Sequence, residues 1–253
     1  MMDGPILITG ASGRVGRILV DHFLRAGTTV IGTVRRLESV KALESLHAGY
    51  GESLVVLRGD LTDSGCVKAI ACELSERGLL PFAVVNNARS LESLAVGEQG
   101  RVSRENFLNE YLLDVVVPYE LTMELAQQRE SGLRSVINIG SQYGVVAGNP
   151  SLYADAEKGT PIHYGVAKAA VVHLTRELAV RLAPRRIRVN CVSFGGIEGR
   201  VDAAFQARYA GLCPQGRMLK EADISGPVEF LASDSSSGMT GHNLVVDGGW
   251  TAW

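Results

Sequence analysis

Tyr164 and Lys168 stand four positions apart at the head of an amphipathic stretch, a spacing that puts both side chains on one face of a helix. A free phenol ionises at about pH 10. An ammonium held beside it stabilises the phenolate and brings the phenol toward working pH, where it serves as a general acid or base. Tyr-x-x-x-Lys is commonplace as a pattern, but it occurs only at this place in the chain. Ser141 follows the apolar run Ser135–Ile139. Open α/β sheets bind ligands at the carboxyl ends of their strands, so a hydroxyl there is placed to hold a substrate oxygen. Taken alone, Ser141 reads better as a turn or helix-cap serine.

A second cluster lies at the other end of the chain. The first apolar run, Pro5–Thr9, leads into Gly10-x-x-Gly13-x-x-Gly16, and a helical pattern begins at Arg14. Glycine permits a tight turn and lets backbone approach a pyrophosphate, while a helix N-terminus supplies free N–H groups and a positive dipole. Gly10, Ser12, Gly13, Arg14, Val15 and Gly16 are therefore candidate pyrophosphate-binding positions. Folds that hold NAD place an acid roughly 20 residues further on, at the end of the second strand. Here that strand ends in Arg35 and Arg36, and the next acid is Glu38. Two arginines suit a 2′-phosphate and favour NADP(H) over NAD(H), with Arg14 as a third positive charge. The alternative is a solvated basic corner.

These groups need a scaffold, and the hydrophobic pattern supplies one. Short β-branched runs at Pro5–Thr9, Thr28–Val34, Leu54–Leu57, Phe82–Asn86, Ser135–Ile139, Ile187–Ser193 and Asn243–Val246 alternate with longer amphipathic segments. Most runs are continuously apolar, which suits strands covered on both faces in a parallel sheet. In Arg14–Ala26, the residues Val15, Ile18, Leu19, Phe23 and Ala26 share a helical face; in Tyr164–Leu182, Val171, Leu174 and Leu178 do the same, and Pro184 stops the helix. Helical segments near Arg200–Leu212 and Glu221–Ala232 precede the last strand and could cover a site. Strand–helix alternation implies right-handed βαβ units and a doubly wound Rossmann-type α/β fold. With no linker or repeat, residues 1–253 read as one domain.

Composition bounds the function. Hydrophobic residues make up 46% of the 253, enough for a large core, and the net charge of −2 gives no general attraction to nucleic acid or anionic membrane. No apolar run approaches the ~20 residues of a membrane span, and no basic segment leads into an apolar core as in a signal peptide. Cys66, Cys72, Cys191 and Cys213 form no Cys-x-x-Cys pair and read as buried thiols of a reducing, cytoplasmic compartment; no metal-ligand spacing occurs among them or the histidines.

The order of these motifs resembles the compact single-domain branch of the short-chain dehydrogenase/reductase family over nearly the whole chain. The matching residues are Thr9-Gly10 with the glycine loop, Asp60, Asn86-Asn87-Ala88, Ser141, Tyr164 with Lys168, and Val246-Asp247-Gly248-Gly249. The resemblance implies a seven-stranded parallel sheet, a nicotinamide cofactor and usually a tetramer. Tyr164 would exchange a proton with the oxygen of a small-molecule ketone or alcohol. Lys168 would tune it and bind the nicotinamide ribose, and Ser141 would hold the same oxygen. Asp60 and Leu61 would lie at the adenine, Asn87 and Ala88 near the ribose, and Gly195 and Ile197 would offer backbone at the nicotinamide end.

Four departures accompany the resemblance. Arg14 occupies the place of the middle glycine of the compact-branch spacing, so the glycines fall as in the extended, sugar-nucleotide-modifying branch. Arg89 replaces the glycine after Asn86-Asn87-Ala88; it would meet an anionic substrate group or point to solvent. Asp114 aligns with the asparagine that completes the family's proton relay, and an ionised aspartate cannot donate a hydrogen bond. The usual Pro-Gly after the sixth strand reads Phe194-Gly195, and Gly199 stands in place of a cofactor-contacting threonine.

The segment Tyr143–His163, between Ser141 and Tyr164, is longer than is common in the family; it carries Tyr153, Asp155, Glu157, Lys158 and His163 and is punctuated by Pro150 and Pro161. Its ends fix it beside the site, so it is expected to wall the substrate pocket; a solvent-facing loop is the alternative. The long loop resembles members from bacterial surface-sugar and flagellin-modification pathways, which implies a polar, sugar-like substrate. A β-ketoacyl carrier-protein reductase, with Arg185, Arg186 and Arg188 as a docking patch, is the second reading, and a non-catalytic dinucleotide-binding regulator the third. Trp250 and Trp253 are costly to leave in water and are expected at a subunit interface of a homo-oligomer, tetramer or dimer, or else buried in the same chain.

Overall fold

The computed structural model describes residues 4–153 and 159–253. The strands are β1 (Ile6–Ile8), β2 (Val30–Val34), β3 (Leu54–Arg58), β4 (Ala83–Asn86), β5 (Ser135–Ser141), β6 (Arg188–Phe194) and β7 (Asn243–Val246). They form one parallel sheet in the order β3-β2-β1-β4-β5-β6-β7. Parallel neighbours cannot be joined by hairpins, so each connection crosses a face of the sheet. The crossovers carry α1 (Arg14–Arg25), α2 (Leu37–Leu46), α3 (Cys66–Glu76), α4 (Arg104–Tyr111), α5 (Val117–Gln127), α6 (Ile162–Leu182), α7 (Ala203–Leu212) and α8 (Ser225–Ala232).

Alternation along the strands divides the core in two. Leu7, Ile31, Val84 and Val136 face α3, α5 and α6 through Ile70, Leu121 and Leu178. Ile6, Ile8, Val85, Ile137 and Val192 face α1 and α8 through Leu19, Phe23, Val228 and Leu231. Both faces are thus covered, which is why the strands read as unbroken apolar runs. The strand order reverses between β1 and β4, and the connections leaving these strands part there to open a crevice.

Local details differ from the expected ones for identifiable reasons. On α1, Leu19 and Phe23 are buried with Val20 and Leu24, Val15 and Ile18 are half-buried, and Ala26 is exposed because it caps the helix. β5 continues to Ser141, paired with Phe194. Between α4 and α5 lies a π-helical turn, Leu112–Val116. Pro118 follows it; a proline has no N–H to give and its ring crowds the carbonyl four residues back, here that of Asp114, so a regular α-turn cannot pass through. Trp250 packs inside its own chain, stacked on Tyr209 at 4.4 Å, whereas Trp253 is exposed. Cys191 and Cys213 are buried, but Cys66 is only half-buried and Cys72 is exposed; all are free thiols.

Candidate active site

A cleft of about 710 Å³ opens over the carboxyl ends of the strands and runs from the β1 loop to α7. Gly10, Ser12, Gly13, Arg14, Val15, Arg35, Arg36, Asp60, Leu61, Asn87, Ala88, Ser141, Tyr164, Lys168, Gly195 and Ile197 all line it.

At one end the β1 loop turns under α1. Gly10 has φ +65°, and a Cβ there would come within 2.8 Å of the Ala88 Cα, so only glycine lets the β1 and β4 loops meet. Gly13 begins α1 with no side chain capping it, which leaves the helix N-terminus open to the cleft. Gly16 lies buried in the first turn. Thr9 braces the junction: its hydroxyl accepts the backbone N–H groups of Asn87 and Ala88 at 2.9 and 3.0 Å. The Asn87 amide donates to the carbonyls of Thr9 and Gly10 at 2.9 and 3.2 Å, so it fixes the loop as well as lining the cleft. Asp60 is held by Thr62, whose N–H and hydroxyl donate to Oδ1 at 3.0 and 2.7 Å.

Arg35 and Arg36 leave β2 and converge on one carboxylate, donating to Glu92 Oε1 at 3.2 and 3.1 Å. Glu92 belongs to a short 3₁₀ turn after β4, and nothing local in the sequence marks it as their partner. Arg14 does not join them, contrary to the expected third charge: its guanidinium reaches across the cleft toward the Ile197 carbonyl and Glu221, both at 3.5 Å. The reason is the glycine at 199, which leaves room for it; a Cβ there would lie 3.0 Å from Arg14 Nη2.

The other end of the cleft gathers Ser141, Tyr164 and Lys168. Pro161 caps α6, so Tyr164 sits in its first turn and Lys168 one turn further, with the Lys168 Nζ 5.7 Å from the phenol ring centre. Ser141 is brought to α6 by Gly144, where a Cβ would lie 2.6 Å from the Lys168 carbonyl oxygen. Lys168 is buried and donates to Asp114 Oδ1 and to the Ile139 carbonyl, both at 2.9 Å. Burial pulls the ammonium down, but the Asp114 carboxylate and the Tyr164 phenol outweigh it and the net shift is upward. Asp114 thus meets Lys168 as an acceptor from the π turn. Arg89 neither faces away nor stays apart: its guanidinium covers the Tyr164 ring at 4.8 Å, a cation–π contact.

The long segment after Ser141 is mixed. Gln142, Tyr143 and Tyr153 line the cleft. The phenols of Tyr143 and Tyr153 are linked at 3.1 Å, and that of Tyr153 continues to Thr160. Asp155, Glu157 and Lys158 lie outside the described residues. His163 is not part of the wall: it is fully buried in the first turn of α6, with Nε2 donating to the Ser93 carbonyl at 2.6 Å. Tyr209, on α7, closes the far side; its hydroxyl accepts from the Gly196 N–H and donates to Gln142 Oε1, both at 2.9 Å. That contact was not legible, since a helical aromatic reads simply as core. Among the described residues, no cluster of three or more His, Cys, Asp or Glu gathers as for a metal ion, and no helix is long and apolar enough to cross a membrane.

A crevice at the switch point of a parallel sheet, with an open helix N-terminus at one end and a Tyr–Lys pair at the other, defines the dinucleotide-dependent oxidoreductase class. The chain matches over residues 10–251 a family described as enoyl-(acyl carrier protein) reductase. It is 31% identical over 97% of its length to an uncharacterized short-chain type dehydrogenase/reductase of Sinorhizobium fredii, though it spans only 43% of that longer protein. It is 30% identical to galactitol 2-dehydrogenase of Rhizobium johnstonii, covering 100% of this chain and 97% of that one. It is 27% identical to post-translational flagellin modification protein A of Campylobacter coli, covering 97% of each. Among solved structures it is similar to a short chain dehydrogenase of Leptospira borgpetersenii with bound NAD+, with 27% identity, TM-score 0.83, and coverage of 99% of this chain and 94% of that one. The chain therefore belongs to the short-chain dehydrogenase/reductase family of alcohol/ketone oxidoreductases.

Proposed function

We propose that this protein is a cytoplasmic, homo-oligomeric, NADP(H)-dependent enzyme that interconverts a ketone and a secondary alcohol on a polar, sugar-like substrate, with cofactor and chemistry on one domain spanning 1–253. The observation that carries the reading is the Tyr164–Lys168–Asp114 arrangement beside Ser141 at the end of the cleft.

The cleft fits a nicotinamide dinucleotide: a glycine turn that no Cβ can enter and an uncapped helix N-terminus suit the pyrophosphate. The bound cofactor supplies or accepts the hydride. The protein's own groups then have separate tasks. Ser141 donates a hydrogen bond to the substrate oxygen. Tyr164 gives that oxygen a proton in reduction and takes one in oxidation. Lys168 holds positive charge beside the phenol and meets the ribose. Asp114 anchors Lys168 and balances its charge.

Arg35 and Arg36 already bind one anionic oxygen, that of Glu92, and this supports the NADP(H) preference. A 2′-phosphate would take over the Glu92 position. Titration followed by nicotinamide fluorescence should give tighter binding of NADPH than NADH, lost in Arg35→Asp. In Glu92→Gln, NADPH should bind several-fold tighter, since a competing carboxylate is gone, with NADH little changed. Tighter NADH binding by the wild type would reverse the preference.

The relatives named for galactitol oxidation and flagellin modification support a polyhydroxylated substrate, as do Gln142, Tyr143 and Tyr153 in the wall. The carrier-protein alternative has less support, because Arg188 is spent on Leu231, Ser233 and Ser236 and Arg185 on the Ala126 carbonyl. Assays on a panel of polyols, ketoses, acyl thioesters and apolar ketones test this: turnover of the first two is expected, and turnover of thioesters or apolar ketones alone would overturn it. Exposed Leu108, Ile162, Val166, Val180 and Trp253 support self-association.

A further inference from the structure

Behind Lys168 lies a buried group that the reaction as described does not use. Glu110, one turn before Asp114 on α4, is completely buried. The groups facing it are Asp114 on its own helix continuation, Ser93 and Arg89 from the segment after β4, and Lys168 from α6; His163, also on α6, bonds the Ser93 carbonyl. Three buried side-chain atoms here, Glu110 Oε1, Asp114 Oδ2 and His163 Nδ1, have no hydrogen-bond partner among the described residues.

The hydrogen bonds around Ser93 decide where a proton sits. Its single hydroxyl hydrogen has two acceptors within reach, the Glu110 Oε2 at 2.6 Å and the Ser90 carbonyl at 3.2 Å. A carbonyl can only accept. Both contacts are satisfied together only if Glu110 carries a proton and donates it to Ser93 Oγ, which then donates to Ser90. Charge points the same way. Lys168 is already paired with Asp114 at 2.9 Å, so a second buried carboxylate one turn away would have only the exposed Arg89 to offset it. Burial pushes the Glu110 carboxyl above the ordinary range and Asp114 adds to this, while Ser93, Arg89 and Lys168 pull against them.

We propose that Glu110 is a positioning residue held as a neutral carboxylic acid, which keeps Asp114 the only buried anion beside Lys168 and Tyr164. This rests on Tyr164 and Lys168 being the proton-transfer pair. Ionisation of Glu110 at higher pH would add a second negative charge and oppose loss of the Tyr164 proton, slowing alcohol oxidation. The stability sign follows from the raised folded value: Glu110 costs nothing below the ordinary carboxylate range, and its penalty grows as pH rises from there until it is complete above the higher folded value.

Glu110→Gln supplies the test, because its amide can donate to Ser93 as the acid does. In the oxidation direction, the ratio of variant to wild-type kcat should climb on the order of tenfold from acid to alkaline pH. A ratio that does not change with pH would overturn the proposal. Infrared difference spectra provide an arm independent of turnover. The wild type at neutral pH should show a carboxylic-acid C=O band that Glu110→Gln lacks, and no such difference would overturn it as well. If that band is present but Tyr164→Phe retains full activity, it is the proton-transfer pair that is wrong, not the protonation of Glu110.

Discussion

Replacing Tyr164 by Phe is expected to lower kcat/KM by on the order of 10³-fold while leaving the fold and cofactor affinity in place. The substitution removes one oxygen from a ring that stays held by Arg89 at 4.8 Å and by the edge of Tyr143 at 6.5 Å between ring centres. Lys168 stays tied to Asp114 and the Ile139 carbonyl, and the Tyr143 and Tyr153 phenols, which also line the cleft, are bonded to each other at 3.1 Å. Steady-state kinetics with fluorescence titration of the cofactor separates the two effects. A loss of affinity equal to the loss of rate would mean that Tyr164 holds the cofactor and does not move a proton.

Lys168→Met has the second large effect, and it falls on stability as well as on rate. Methionine keeps the length and fills the volume but leaves the Asp114 carboxylate without its partner, both side chains being almost wholly buried. Breaking a buried pair in this way costs about 3–5 kcal/mol, most of it the price of the lone charge. Denaturant titration should therefore show the variant strongly destabilised. The double variant Lys168→Met, Asp114→Asn should recover much of the loss, while activity stays low in both. The pH dependence has a definite sign. Because the folded Lys168 ammonium is shifted upward overall, its contribution is complete below the ordinary lysine range and fades only as pH rises through the higher folded value. Lys168 thus keeps its positive charge throughout the neutral range. A single variant as stable as wild type would show that Asp114 is not a buried anion.

What was legible in the sequence follows from how local each determinant is. The seven apolar runs became the seven strands because burial on both faces leaves an unbroken β-branched signature. The glycine loop and the Tyr164–Lys168 spacing were legible because chemistry and geometry there are set by neighbours in the chain. What was missed or misread is long-range. Arg35 and Arg36 meet an acid more than fifty positions away, and a surface-looking Glu92 carries no mark of this. Arg14 looked like their companion from its place in the loop, but space over Gly199 draws it across the cleft. His163 seemed part of the pocket wall by position, yet the first turn of α6 rotates it inward to Ser93. Glu110 falls in a polar helical stretch that carries no mark of burial; the packing of α4 on α6 buries it. Asp114 was legible only through the family resemblance; the π turn from which it meets Lys168 was not.

The central claim is hydride exchange at this cleft, and an isotope tests it most directly. The protein would be incubated with NADPH carrying deuterium at the transferable nicotinamide position and with a panel of ketoses, and the products analysed by mass spectrometry. Deuterium on the new carbinol carbon, absent with Tyr164→Phe, is the expected result. Cofactor that binds tightly but passes its label to no carbonyl compound would contradict it and point instead to a dinucleotide-binding regulator built on the same fold.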